Sequence, residues 1–238
     1  MDQPSAPILE FLEVTTAPDA WFDVPLTHAS FALGNGDLAM FRFHHQAPRS
    51  PLADAAMGLA ELQAGQVRFR GVPWQEISPT EEARRRGQIG RLFGMHGWVN
   101  HLDVDENITL RLRHHTRRPL AEIEREATEL ACAFGLRELP RTRPANLDVH
   151  DLQGAACVRM LLGSPMLLII DEPPSGFYPD VLVALRPQIA TVRASGAAVV
   201  WLSADRAVWG DESLKATIRG EVGQPGLGLL PVPVEAAI

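Results

Sequence analysis

One stretch constrains this chain more than any other: Met166-Leu-Leu-Ile-Ile-Asp171-Glu172-Pro173. Five consecutive apolar residues end in two adjacent carboxylates and a proline, with Gly163-Ser-Pro165 in front and Pro173-Pro174 behind. A run this short and this apolar predicts a β-strand buried on both faces, the kind found in parallel sheets. Its acids then fall at the strand's carboxyl end, where open α/β sheets bind ligands. The same residues also suit a plain core strand whose carboxylates cap the next turn, so the neighbouring sequence has to decide.

Around that strand the spacing predicts further elements. Residues 8–16, 24–33 and Leu38–Phe43 read as strands, the last two separated by the turn Gly34-Asn35-Gly36-Asp37. A polar, proline-bearing loop at 43–51 leads into a helix over Leu52–Leu62. Gly65–Gly71 alternates like a strand, and Ile89–Phe93 reads as another. Asp105 is a candidate N-cap for a helix to about His114. Leu120, Ile123, Ala127, Leu130 and Phe134 recur at three–four spacing until Gly135, the clearest helix in the chain. A helix over 151–163 precedes the central strand, and Pro179 opens a helix to about Ala194 with a bend expected at Pro187. Ala197–Leu202 is a last apolar strand, and the Gly- and Pro-rich tail from Gln224 reads as irregular. Strands early, helices in the middle and β-α-β late give an α/β nucleotide-binding architecture.

Composition narrows the function. A formal net charge of −7 gives no general basic footprint for nucleic acid. Arg84-Arg85-Arg86 and Arg117-Arg118 read as solvated helix faces rather than binding patches. Cys132 and Cys157 are far apart and lack metal-ligand spacing, which suits a reducing cytoplasm. No signal-peptide pattern opens the chain, and its apolar runs fall short of the ~20 residues that a membrane span needs.

From about Leu9 to Gly223, the order and spacing of these segments resemble an ABC ATPase subunit, and Met166–Glu172 resembles its Walker B strand. The phrase Asp105-Glu-Asn-Ile-Thr-Leu-Arg-Leu-Arg-His-His-Thr116, followed by Arg117-Arg118-Pro119, looks like the start of the helical domain in ATPase subunits of Mce/Mla-type phospholipid transporters. The resemblance implies a P-loop NTPase-like ABC ATPase fold, α/β in class, with a β-rich N-terminal part and an inserted helical subdomain at about 95–160. Residues 1–238 would then form a single domain with an irregular tail at about 224–238. Asp171 and Ser50 would hold magnesium if nucleotide binds, Arg49 and Ser50 would face the phosphates, and Glu172 would polarise the attacking water.

The residues at the family's working stations depart from its pattern together. Its phosphate loop reads Gly-x-x-x-x-Gly-Lys-Ser/Thr, whereas this chain reads Phe43-His44-His45-Gln46-Ala47-Pro48-Arg49-Ser50. Such loops aim consecutive backbone N–H groups at the phosphates, and glycines permit the angles and the close approach. Pro48 removes one N–H, Phe43 adds bulk, and Arg49 is a larger, planar cation in the lysine's place. Hydrogen bonds to charged groups are worth ~1.5–3 kcal/mol each, so losing two or three weakens nucleotide binding by roughly two to six decades. Gly94 stands for the magnesium-sensing glutamine. Leu147-Asp148-Val149-His150-Asp151 stands for Leu-Ser-Gly-Gly-Gln, Tyr178 for the D-loop aspartate and Ala204 for the switch histidine.

What the resemblance and this decay imply together is a degenerate cassette subunit of a membrane transporter, with phospholipid as a cargo. It would lie in the cytoplasm, peripheral on the inner face of the membrane through a permease. ATP and magnesium follow from the resemblance alone, and the decayed loop is equally compatible with no cofactor. Expected partners are a membrane permease and either an active ABC ATPase or a second copy of the chain, with no nucleic acid. The permease would meet the groove after Gly94, with Met95, His96, Trp98 and the 102–115 segment. The alternative reading is an active ATPase in which Arg49 and Ser50 replace the usual Lys-Ser.

Overall fold

The computed structural model of the protein describes residues 6–18, 25–43, 51–94, 97–171, 176–223 and 226–230. In chain order these form β1 (Leu9–Thr16), β2 (Ala29–Leu33), β3 (Leu38–Phe43), α1 (Pro51–Ala56), β4 (Leu62–Phe69), β5 (Val72–Pro73), α2 (Pro79–Arg86), β6 (Ile89–Leu92), α3 (Val104–His115), α4 (Leu120–Ala133) and α5 (Val149–Leu161). The chain continues through β7 (Leu167–Asp171), α6 (Pro179–Ala194), β8 (Ala198–Ser203), α7 (Arg206–Trp209), β9 (Ile218–Gly223) and β10 (Gly226–Leu230).

The strands make two sheets. One is antiparallel, in the order β2-β1-β4-β5, and the other has the order β10-β9-β3-β8-β7-β6. In the second sheet, β9, β3, β8, β7 and β6 all run parallel, so their carboxyl ends share one edge. Only β10 opposes them, paired with β9 from Gly226↔Gly223 to Leu230↔Arg219. The expectation of an irregular tail is therefore corrected over Gly226–Leu230, where the chain adds an antiparallel edge strand.

Alternation of side chains sorts the core into two layers. Ile89, Leu167, Ile169, Val200 and Phe41 pack with α1 and the antiparallel sheet, while Leu92, Leu168, Ile170, Val199 and Met40 pack with α3, α4, α5 and α6. The four apolar residues Leu167–Ile170 of β7 are fully buried, as a strand covered on both faces requires. Burial of that kind contributes roughly 1.5–3 kcal/mol per aliphatic side chain. At Gly90 on β6 the packing is closer still. A Cβ there would lie 2.0 Å from the Met160 carbonyl oxygen of α5, so only glycine lets strand and helix meet. Arg111 of α3 ties the same seam, donating to the Gly87 carbonyl at 2.8 Å and to the Leu162 carbonyl beyond α5.

Two helix boundaries differ from expectation for identifiable reasons. The helix predicted over Leu52–Leu62 ends at Ala56, because Gly58 takes a left-handed conformation (φ 64°) and β4 begins at Leu62. Distant donors meet its end and the turn after it: Trp74 Nε1 reaches the Ala56 oxygen at 3.2 Å, and Arg86 reaches the Met57 and Gly58 oxygens just beyond the helix at 2.9 and 3.0 Å. The arginine run of α2, read as a solvated face, thus partly serves as a C-terminal cap for α1. The N-cap of α3 is Asp103, two residues before the expected one. The Asp103 N–H donates to Glu106 Oε2 at 2.8 Å, and Asp105 lies inside the helix. Helices α4, α5 and α6 lie close to their expected positions, α2 and α7 lie where no helix range is predicted, and Asp148 caps α5 by accepting from the His150 N–H at 2.8 Å.

Candidate functional site at the carboxyl edge of the parallel sheet

The parallel strands bring several of the chain's chemistry-bearing residues to one edge. Asp171 closes β7, Gly94 follows β6 by two residues, and Ala204 follows β8 directly. Strand β3 ends there at Phe43, and α1 leaves from Pro51, so the candidate phosphate loop connects them. Arg49, Ser50 and Glu172 lie outside the described residues, as do Met95 and His96. Of the four residues expected to do the chemistry, only Asp171 therefore has a described geometry.

That geometry centres on a residue inside the expected Ile89–Phe93 strand, to which the sequence pattern assigns no role. Arg91 of β6 places one guanidinium nitrogen 3.4 Å from Asp171 Oδ2 and the other against Asp54 Oδ1 of α1. Its side chain is 9% exposed, against 28% for Asp54 and 30% for Asp171. The Arg91 guanidinium carbon also lies 4.6 Å from the centroid of the Phe93 ring. Two carboxylates from separate elements thus share one largely buried cation. The signal was present as period-two alternation: Arg91 follows Ile89, and Asp171 follows Leu167 and Ile169, onto the α1 face of neighbouring parallel strands.

A magnesium ion does not fit this arrangement. Asp171 is the described acid that would hold it, and a fixed guanidinium already faces one of its oxygens. Among the described residues no cluster of three or more His, Cys, Asp or Glu side chains could hold a metal ion.

The start of α5, where the resemblance places a phosphate receptor, carries negative charge instead. Asp148 caps the helix, Asp151 sits in its first turn, and His150 Nε2 pairs with Asp180 Oδ2 of α6 at 2.7 Å. The Asp180 and Asp151 carboxylates hold the His150 imidazole above its ordinary pKa, and the same contact holds Asp180 below the usual carboxylate range. Tyr178, at the N-cap position of α6, packs its ring edge-on to His150 at 5.0 Å. Helix starts attract anions through their unpaired N–H groups and partial positive charge. Here the chain's own carboxylates answer both.

Trp98 lies beyond Gly94, with the Arg159 guanidinium carbon 4.3 Å from its ring centroid and 5.5 Å from that of Phe93. Burial pushes the Arg159 guanidinium down to about 10, which leaves it charged at neutral pH. No helix of the described residues is long and apolar enough to cross a membrane.

Comparisons with known proteins bear on this edge directly. The ABC transporter family model matches residues 47–175, from the loop after β3 to just past the acids at the end of β7. The chain is similar to the lipoprotein-releasing system ATP-binding protein LolD of Maricaulis maris, with 32% identity over 197 residues covering 81% of this chain and 84% of that protein. Among solved structures, the fold is similar to an ATP-binding subunit of an ABC transporter, with a TM-score of 0.77 and 21% identity over 94% of this chain and 90% of that one. It is equally similar to the dimeric bacterial ABC transporter cassette MJ0796, at TM-score 0.77 and 18% identity over 90% and 93% of the two chains. The expected ABC ATPase fold, P-loop NTPase-like and α/β, is therefore present. Because the matched segment spans both the loop after β3 and the acid that closes β7, the edge described above can be placed: the chain belongs to the ABC transporter family.

Proposed function

We propose that the chain is a degenerate ATP-binding-cassette subunit of a membrane transporter, impaired or inactive in ATP hydrolysis and acting as a structural or regulatory partner of a permease. The observation that carries this reading is the start of α5. A receptor for a γ-phosphate needs unpaired N–H groups and positive potential, and here Asp148 caps the helix while Asp151 and Asp180 flank it. Substitution of Gly94, Tyr178 and Ala204 at the other stations supports the same conclusion. In this reading Asp171 and Glu172 are vestigial, and Arg49 and Ser50 line a phosphate loop too altered for tight binding.

The whole of 1–238 acts as one cassette-like unit, with the helices between about 95 and 160 forming its permease-facing subdomain and Trp98 at the groove. It sits on the cytoplasmic side of the membrane through that permease. It pairs with an active ATPase or a second copy, a reading that the dimeric cassette among its structural neighbours supports. The relative's name concerns lipoprotein release, and the 105–119 segment resembles phospholipid transporters; a lipid-bearing cargo is common to both.

The competing reading, a working ATPase with Arg49-Ser50 in place of Lys-Ser, draws on the retained Asp171-Glu172 pair. Phosphate release by the purified chain, with and without Glu172→Gln, separates the two. The proposal expects no turnover that the substitution removes, and turnover typical of enzymes, on the order of 1 per second or faster, abolished by Glu172→Gln would overturn it.

A further inference from the structure

We propose that Arg91 is a built-in cation at the carboxyl edge, one that bridges Asp54 to Asp171 and so closes the strand-end acid to divalent metal. This inference rests on the degenerate-cassette reading and names the means by which one part of that site is disabled.

Three observations converge on it. First, the Arg91 guanidinium touches both carboxylates at once, one from α1 and one from β7, while its stem is fixed in β6 between them. Second, the side chain is 9% exposed, so the positive charge is screened little by solvent and is held in place by packing. Third, the Phe93 ring lies 4.6 Å from the guanidinium carbon, which favours the cation further.

A divalent ion approaching Asp171 would meet a like charge held within hydrogen-bonding reach of the same carboxylate, and repulsion of that kind is strong where water is excluded. The bridge is intramolecular, so it competes with free metal at a high effective concentration.

The test uses Mn²⁺ as the probe, without nucleotide, read by electron paramagnetic resonance and by thermal melting of the full chain. Wild type, Asp171→Asn, Arg91→Met and the double variant Arg91→Met/Asp171→Asn are compared. The expected result is equal, weak Mn²⁺ binding by wild type and Asp171→Asn. Arg91→Met should bind at least tenfold more tightly and melt higher with added Mn²⁺, a gain that the double variant loses.

Removing the cation leaves two carboxylates facing each other, so Arg91→Met could fail to fold. Arg91→Lys then takes its place, because a point charge on one partner preserves folding while loosening the fork, and a smaller gain is expected. A folded Arg91→Met or Arg91→Lys protein with no gain in Mn²⁺ affinity overturns the proposal. So does wild-type binding that Asp171→Asn weakens tenfold. The degenerate-cassette reading fails on a different measurement, the turnover of ATP by wild type. An inactive wild type whose Arg91 variants gain no metal would discard the built-in cation and leave that reading standing.

Discussion

Gly90 and Arg91 are neighbours on β6, yet they answer to different constraints. Gly90 faces α5, where the Met160 carbonyl leaves no room for a single added carbon. Arg91 points to the other side of the strand, where Asp54 and Asp171 supply charge rather than shape. The seam between β6 and α5 is thus set by packing: Gly90, the buried β7 run and the Arg111 bridge all keep the positions that the fold needs. The carboxyl edge is set by electrostatics: Arg91 faces Asp171, Asp148 and Asp151 sit at a helix start, and Ala204 follows β8. The difference teaches that the packing which determines the core leaves the charges at strand and helix ends free to be set independently.

The largest expected effect lies on the seam. Gly90→Val forces a side chain into the Met160 carbonyl, and overpacking of this severity costs about 3 kcal/mol or more. At roughly 2–4 °C per kcal/mol for a chain of this size, the melting temperature should fall by about 6–12 °C, with loss of soluble protein. A variant melting within a degree of wild type would mean that β6 and α5 are not packed as described, and the comparison would lose its rigid side.

The smallest effect lies at the edge, where His150 links the start of α5 to the first turn of α6. Its two carboxylate partners raise its folded pKa above that of the unfolded chain. The folded state therefore holds the proton more tightly. The resulting stability is fully present below pH ~6.5 and is lost as pH rises through the raised folded value. His150→Asn should lower the melting temperature on the order of one degree at pH 6 and leave it unchanged near pH 9, as expected for an exposed pair. A difference that grows with pH would show that the imidazole is neutral in the fold and that the clamp is not ionic.

Much of the rigid side was legible in the residues themselves. The Met166–Asp171 run, the three–four spacing of Leu120–Phe134 and the Pro179 start each encode their element locally, and each lies where its pattern indicated. The boundaries that moved turn on single residues. Helix α1 stops at Ala56 because Gly58 takes a left-handed conformation, a local signal inside Leu52–Leu62, while Trp74 and Arg86 supply distant donors to the carbonyls at that turn. Strand β10 forms because β9 offers an edge, although Gly226–Leu230 alone has two glycines against it. At the site, the place of Asp171 at the end of β7 could be read directly from the sequence. Arg91 could not be assigned without knowing that β6 and β7 are neighbours in parallel register. A lone arginine in a short apolar strand signals a buried charge that needs a partner, but the partner is a matter of topology.

The measurement that tests the account most directly is titration calorimetry of Mg-ATP into the purified protein, repeated with Glu172→Gln to exclude heat from turnover. A degenerate cassette, as proposed, should show no binding at millimolar nucleotide. Micromolar binding, about −8 kcal/mol, would mean that the loop between β3 and α1 still cradles phosphate, and it would contradict the reading of this chain as a degenerate cassette.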